Sequence, residues 1–98
     1  MPPKNRVLDH PGKILVEEFM KPLDLSGHAL ALELHVPASR ISGIINGQRA
    51  VSADTALRLA RYFGTTPEFW LHMQAGHDLT KARAEFGKQI ATQVRARS

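Results

Sequence analysis

The sequence predicts an all-α fold: a five-helix domain followed by a basic C-terminal extension. Three observations carry that expectation. Apolar residues recur three and four positions apart, the spacing of a helix face, and no stretch alternates apolar with polar residues as a half-buried strand would. Prolines, glycines and hydroxyl residues fall where such helices would open and close. The chain has no cysteine, which excludes disulfides, thiolate zinc sites and thiol catalysis together and leaves folding to packing. Its 98 residues have room for one domain with one modest core.

Residues 1–9 hold Pro2, Pro3, Lys4, Asn5 and Arg6 with little to bury, and read as a flexible N-terminal arm. Asp9 or His10 precedes Pro11, a residue suited to a first helical turn, and Ile14, Leu15, Glu18 and Phe19 mark one face of a helix that stops before Pro22. Ser26 can cap a short second helix whose inward stripe is Ala29, Leu30 and Leu34. Pro37 removes an amide and biases Val36 away from helical angles, so a third helix begins at Pro37 or Ala38. It turns Ile41, Ile44 and Ile45 inward and ends at Asn46 and Gly47, a pair suited to a left-handed terminus.

Ser52 caps a fourth helix with Ala56, Leu57, Ala60 and Phe63 toward the core, and Gly64 closes it. Thr66, Pro67 and Glu68 open a fifth, where Phe69, Trp70, Leu71 and Met73 spread apolar surface around more than one face. From Leu79 onward Lys81, Arg83, Lys88, Arg95 and Arg97 face the single acid Glu85. Phe86, Ile90 and Val94 could extend a helix with one narrow stripe, but a small monomer has little for that stripe to cover. Residues 80–98 are therefore expected to be disordered until a partner orders them.

The second and third helices have the proportions of a helix-turn-helix: a short positioning helix, a tight turn, and a second helix pinned on its inner face. Ala31 is the small residue where the two approach, Val36 fills the turn, and Leu30, Ile41 and Ile44 anchor the inner surfaces. A formal charge of +4 agrees with a polyanionic partner, double-stranded DNA.

The segment LSGHALALELHVPASRISGIINGQR, residues 25–49, resembles the DNA-binding segment of lambda-repressor-like, Xre-type regulators. HPGKILVEEFMKPLDLS before it and VSADTALRLARYFGTTPEFWLHMQAGHDL after it resemble the HigA-type antitoxins of toxin-antitoxin modules. The likeness covers residues 10–83 and implies a homodimer that represses its own operon at a palindromic operator. It also implies a second partner, a co-encoded HigB-like toxin that cleaves mRNA on the ribosome. By position, Ala38, Ser39, Arg40, Ser42 and Gly43 would face the major groove, and Ser26, Gln48 and Arg49 would sit near phosphates. Phe69 and Trp70 are core residues or, because such proteins pair through C-terminal helices, part of a dimer seam with Met73.

The sequence departs from the families it resembles at three places. His35 stands where they usually have glycine, so a left-handed turn there costs more. Gly27 and Gly43 replace longer polar side chains and leave the groove face sparse. Ala38 can touch a thymine methyl, Ser39 and Ser42 can bond several bases, and Arg40 alone can pair bidentately with guanine. Phosphate contacts and DNA shape are expected to carry much of the affinity.

Other chemistry finds little support. Arg58 and Arg61 read as surface charges pairing with Asp54. His72, His77 and Asp78 are the best metal cluster, but residues five apart on a helix diverge by about 140°, so no metal is expected. Glu17 and Glu18 diverge, no nucleophile adjoins a base, and no phosphate cradle occurs; neither an enzyme nor a cofactor is expected. No apolar run reaches bilayer length and the start does not resemble a signal peptide, so the expected location is cytoplasmic, with no membrane partner. The competing readings are a protein-binding module that mainly grips a toxin, and a stand-alone phage-type repressor.

Overall fold

The structure, a computed structural model, describes residues 6–97. Among them are five helical elements and no strand. The first, α1, starts at Pro11–Ile14, widens into π-helical geometry over Leu15–Met20 and ends in a 3-10 turn over Lys21–Leu23. His10 supplies its cap: the imidazole Nδ1 accepts from the Gly12 amide at 2.9 Å. The tighter last turn admits Pro22, so the element runs slightly past the expected stop, and Asp24 then turns left-handed at φ 50°.

Helix α2 spans Gly27–Leu34, α3 Ala38–Ile45, α4 Ala53–Phe63 and α5 Pro67–Gln93. The hydroxyl caps act as the sequence predicts, with Ser26, Ser52 and Thr66 accepting from the amides of Ala29, Thr55 and Phe69. Gly47 and Gly64 take the left-handed conformation at the ends of α3 and α4. His35 does so at the end of α2, with φ 57° and ψ 46°.

The core is built from Leu15, Leu30, Ile41, Ile44, Leu59 and Trp70, all fully buried, with Ala31 and Leu34 closing the α2 side. Helix α2 packs on α3 and α4, α4 lies along α5, and α1 rests against α3 and α5. The approach of α1 to α3 is so close that a β-carbon on Gly12 would overlap the Ile44 carbonyl. Leu57, expected inside, is 61% exposed. Leu59 takes the place instead, because the buried row of α4 runs Ala56, Leu59, Ala60 and a half-buried Phe63, at i, i+3, i+4 and i+7, and Leu57 lies one residue round from that row.

Two expectations about the ends are corrected. Residues 1–5 of the arm lie outside the described residues, but the stretch just after them is tied to α5. The Leu8 amide donates to Thr80 Oγ1 at 2.9 Å, and the Leu8 carbonyl accepts from the His77 Nδ1–H at 2.7 Å. Two backbone bonds to one helix are not the signature of a free arm.

The basic segment is not a disordered tail as far as Gln93: it continues α5, which runs 27 residues without a break across the expected boundary at 79 and 80. Thr66 and Pro67 start the helix and Trp70 and Gln74 bury its first half, so nucleation is already complete when it leaves the body. Ala82, Ala84, Glu85, Lys88, Gln89 and Ala91 then propagate it, outweighing the penalty of Gly76 and Gly87.

Candidate nucleic-acid interface

The sequence shapes α3 as a helix with one apolar and one small, polar side. Ile41 and Ile44 are completely buried, whereas Ala38, Ser39 and Ser42 are exposed on the outer face. The Ser42 hydroxyl donates back to the Ser39 carbonyl at 3.2 Å, which leaves its lone pairs free to accept. Gly43 is half-buried for a specific reason: a β-carbon there would press on Arg49 Cβ at 3.1 Å. The Gly43 carbonyl also accepts from the amides of Gln48 at 2.9 Å and Arg49 at 3.0 Å. Gly43 therefore lets the loop after α3 fold back over the helix and places the exposed Gln48 and Arg49 beside the polar face. Ser26 is exposed at the start of α2.

Arg40 stands apart from this set. Its side chain is 27% exposed and its Nη1 donates to Asp54 Oδ1 at 2.9 Å. Arg58 reaches the same oxygen through Nε at 2.8 Å, the i, i+4 pairing the sequence predicts, and its Nη1 donates to the Leu34 carbonyl at 2.8 Å. The Arg58 hydrogen bond and charge, joined by those of Arg40, hold the Asp54 carboxyl below the usual carboxylate range. Arg61 is exposed and makes no ion pair of this kind with Asp54.

The sequence reading missed three contacts: Arg40 with Asp54, Arg58 with the end of α2, and Gln74, which is buried. Gln74 Oε1 accepts from the Val51 amide at 2.8 Å and its amide nitrogen donates to Asp78 at 2.9 Å, fastening the α3–α4 loop to α5. The nearest usable signal was a glutamine on the apolar side of α5, next to a core tryptophan.

The expected dimer seam is also corrected at one residue. Trp70 has no exposed surface; it packs against Phe19 at a ring separation of 5.1 Å, and its indole N–H is spent on Thr65 Oγ1 at 2.8 Å. It belongs to the chain's own core. Phe69 is 39% exposed and Met73 half-buried, so these two remain accessible.

Comparison with known proteins fits this geometry. The family profile described as Helix-turn-helix matches residues 16–70, from α1 into the first turn of α5. The chain is 55% identical over 76 residues to virulence-associated protein I of Dichelobacter nodosus, covering 78% of this chain and 70% of that protein. It is 44% identical, with a TM-score of 0.87, to a structure described as an addiction module antidote protein of a HigA family from Coxiella burnetii, covering 94% of this chain and all of the other. The chain belongs to the helix-turn-helix family of HigA-type antitoxins. Another member, the Pseudomonas aeruginosa antitoxin HigA solved with the higBA promoter, is 44% identical with a TM-score of 0.86 over 89% of this chain and 95% of that one. Against several curated relatives this HigA-type chain spans between 61% and 70% of their length. Among the described residues no helix is long and apolar enough to cross a membrane, and no cluster of three or more potential metal ligands forms.

Proposed function

We propose that this HigA-type chain binds a palindromic operator in its own promoter as a homodimer and neutralises a co-encoded, HigB-like, mRNA-cleaving toxin. The observation that carries the DNA half is the outer face of α3. Ala38, Ser39 and Ser42 form a low, uncharged surface that can enter a major groove closely, and Arg49 and Gln48 at one end and Ser26 on α2 offer donors to phosphates. Few side chains there can discriminate bases, so backbone contacts and DNA shape supply much of the affinity. The P. aeruginosa relative in complex with promoter DNA supports the same use of the fold.

The second half of α5 supports a protein partner. Leu79, Phe86 and Ile90 are 57%, 49% and 52% exposed and lie along one side of α5, the last two on the part that runs beyond the contacts of Leu8 with His77 and Thr80. They offer a seam for a second copy of the chain, whereas Phe69 and Met73 lie about 60–140° round the same helix and would serve a separate contact. The test is an affinity titration of duplex DNA from upstream of the gene, at several salt concentrations. Several phosphate contacts require log K to fall with log salt at about 0.9 per phosphate. Equal affinity for upstream and scrambled duplex would leave only the toxin-gripping role, which co-purification with the product of the adjacent gene measures separately.

A further inference from the structure

Asp54 is the meeting point of two arginines from different elements. Arg40 comes from α3, Arg58 from one turn further along α4, and both donate to the same carboxylate oxygen, at 2.9 and 2.8 Å. Arg58 reaches on to the Leu34 carbonyl at 2.8 Å and lies 3.5 Å from that of His35, the last residues before the turn. A continuous chain of charge-assisted bonds thus runs from the C-terminus of α2, across α4, to a side chain of α3. It spans both helices of the helix-turn-helix without using the turn itself.

We propose that Asp54 is a specificity-determining positioning residue, which fixes the Arg40 guanidinium at the edge of the α3 face so that it meets DNA in one orientation. This rests on the reading of α3 as the DNA-facing helix. A guanidinium has five N–H donors in a rigid plane. Asp54 engages one of them at Nη1, and that bond narrows the range of side-chain rotamers while leaving the other donors for DNA. An unheld arginine in that place would still attract phosphates through its charge, but would sample many rotamers and lose the fixed fork that distinguishes guanine from other bases. Asp54 carries a second, opposing effect: a carboxylate beside the DNA-facing surface repels the phosphate backbone and lowers binding to any sequence. The single residue trades general affinity for discrimination.

The proposal is tested with the full-length chain and a pool of duplexes carrying a randomised 24-base-pair window, selected in parallel by wild type, Asp54→Asn, Arg40→Ala and the double variant. Melting curves confirm that each is folded, and Asp54→Ala serves as a second variant that cannot accept a bond at all. Arg40→Ala should erase the preference at one position per half-site. Asp54→Asn should weaken discrimination at that same position by about fivefold or more. Its affinity for scrambled duplex should stay equal or rise, and in the double variant Asp54→Asn should add no further loss. A preference unchanged in both Asp54 variants, or a loss that persists when Arg40 is already alanine, overturns the positioning role while leaving DNA reading intact. If wild type enriches no sequence, the DNA reading itself fails and the proposal falls with it.

Discussion

His10 joins three parts of the molecule through one imidazole. Its Nδ1 accepts from the Gly12 amide, its ring meets that of His77 edge-on at 5.1 Å, and it lies 3.9 Å from where a side chain on Gly47 would begin. Burial, then the neighbouring His77 and more weakly Lys81, lower its pKa below the ordinary 6.5, against the opposite pull of Asp78 and a backbone bond at Arg49. A lowered pKa on a base means that the unfolded chain binds the proton more readily. The contribution is therefore present above pH 6.5 and lost as the pH falls below it. Protonation at Nδ1 also turns the cap acceptor into a donor facing the Gly12 N–H. The melting temperature should drop between pH 7.5 and 5.5, and His10→Asn, which keeps a cap acceptor without a titrating ring, should show a smaller drop. Equal drops in both proteins would place the pH sensitivity elsewhere. Arg49 offers a second prediction: Arg49→Ala should weaken binding to operator and scrambled duplex alike and reduce the salt slope by about one unit.

The elements differ in how plainly the sequence announced them. Helices α2, α3 and α4 were legible because each has a hydroxyl or proline start, a left-handed end and an apolar row between. The helix-turn-helix and the polar face of α3 followed from those same signals. What was not legible depended on long-range geometry. Leu59 is the exception, because the i, i+3, i+4, i+7 row through Ala56, Ala60 and Phe63 selects it over Leu57 by spacing alone. Arg40 and Asp54 are fourteen positions apart, and no local pattern brings them together. The basic segment after Leu79 had the composition of a tail, yet a helix already started by Thr66 and packed through Trp70 extends at little cost. Gly12 makes the same point, since nothing nearby in sequence explains it, while the Ile44 carbonyl does. Gly12→Ala should force α1 off the end of α3 and destabilise the fold by about 1–3 kcal/mol, measured by urea unfolding. Because α3 presents the polar face, operator affinity should fall as well, and a fully stable variant would mean that α1 shifts freely.

On the scale of the whole molecule, the proposed mode of action joins a thin reading surface to a long projecting helix. The structure measures 51 Å in its longest dimension against 25 and 23 Å in the others, and α5, 27 residues and about 40 Å long, supplies most of that length. One α3 with two serines, an alanine and a single positioned arginine cannot supply much sequence-specific free energy, because a good bidentate contact is worth only about 1–3 kcal/mol. Two copies held rigidly together double those contacts while losing translational and rotational freedom only once, and place two α3 helices on successive turns of the same face of DNA. The stripe of Leu79, Phe86 and Ile90 is the surface proposed to hold them, and none of the three lies on α3, so it can be altered without touching the proposed reading face. The variant Phe86→Glu with Ile90→Glu should sediment as a monomer and keep its helical circular dichroism. Its operator affinity should be at least about tenfold lower, with affinity for a single half-site unchanged. A variant that remained dimeric would move the seam toward Phe69 and Met73. One that became monomeric yet bound the full palindrome as tightly as wild type would show that each chain reads its half-site alone.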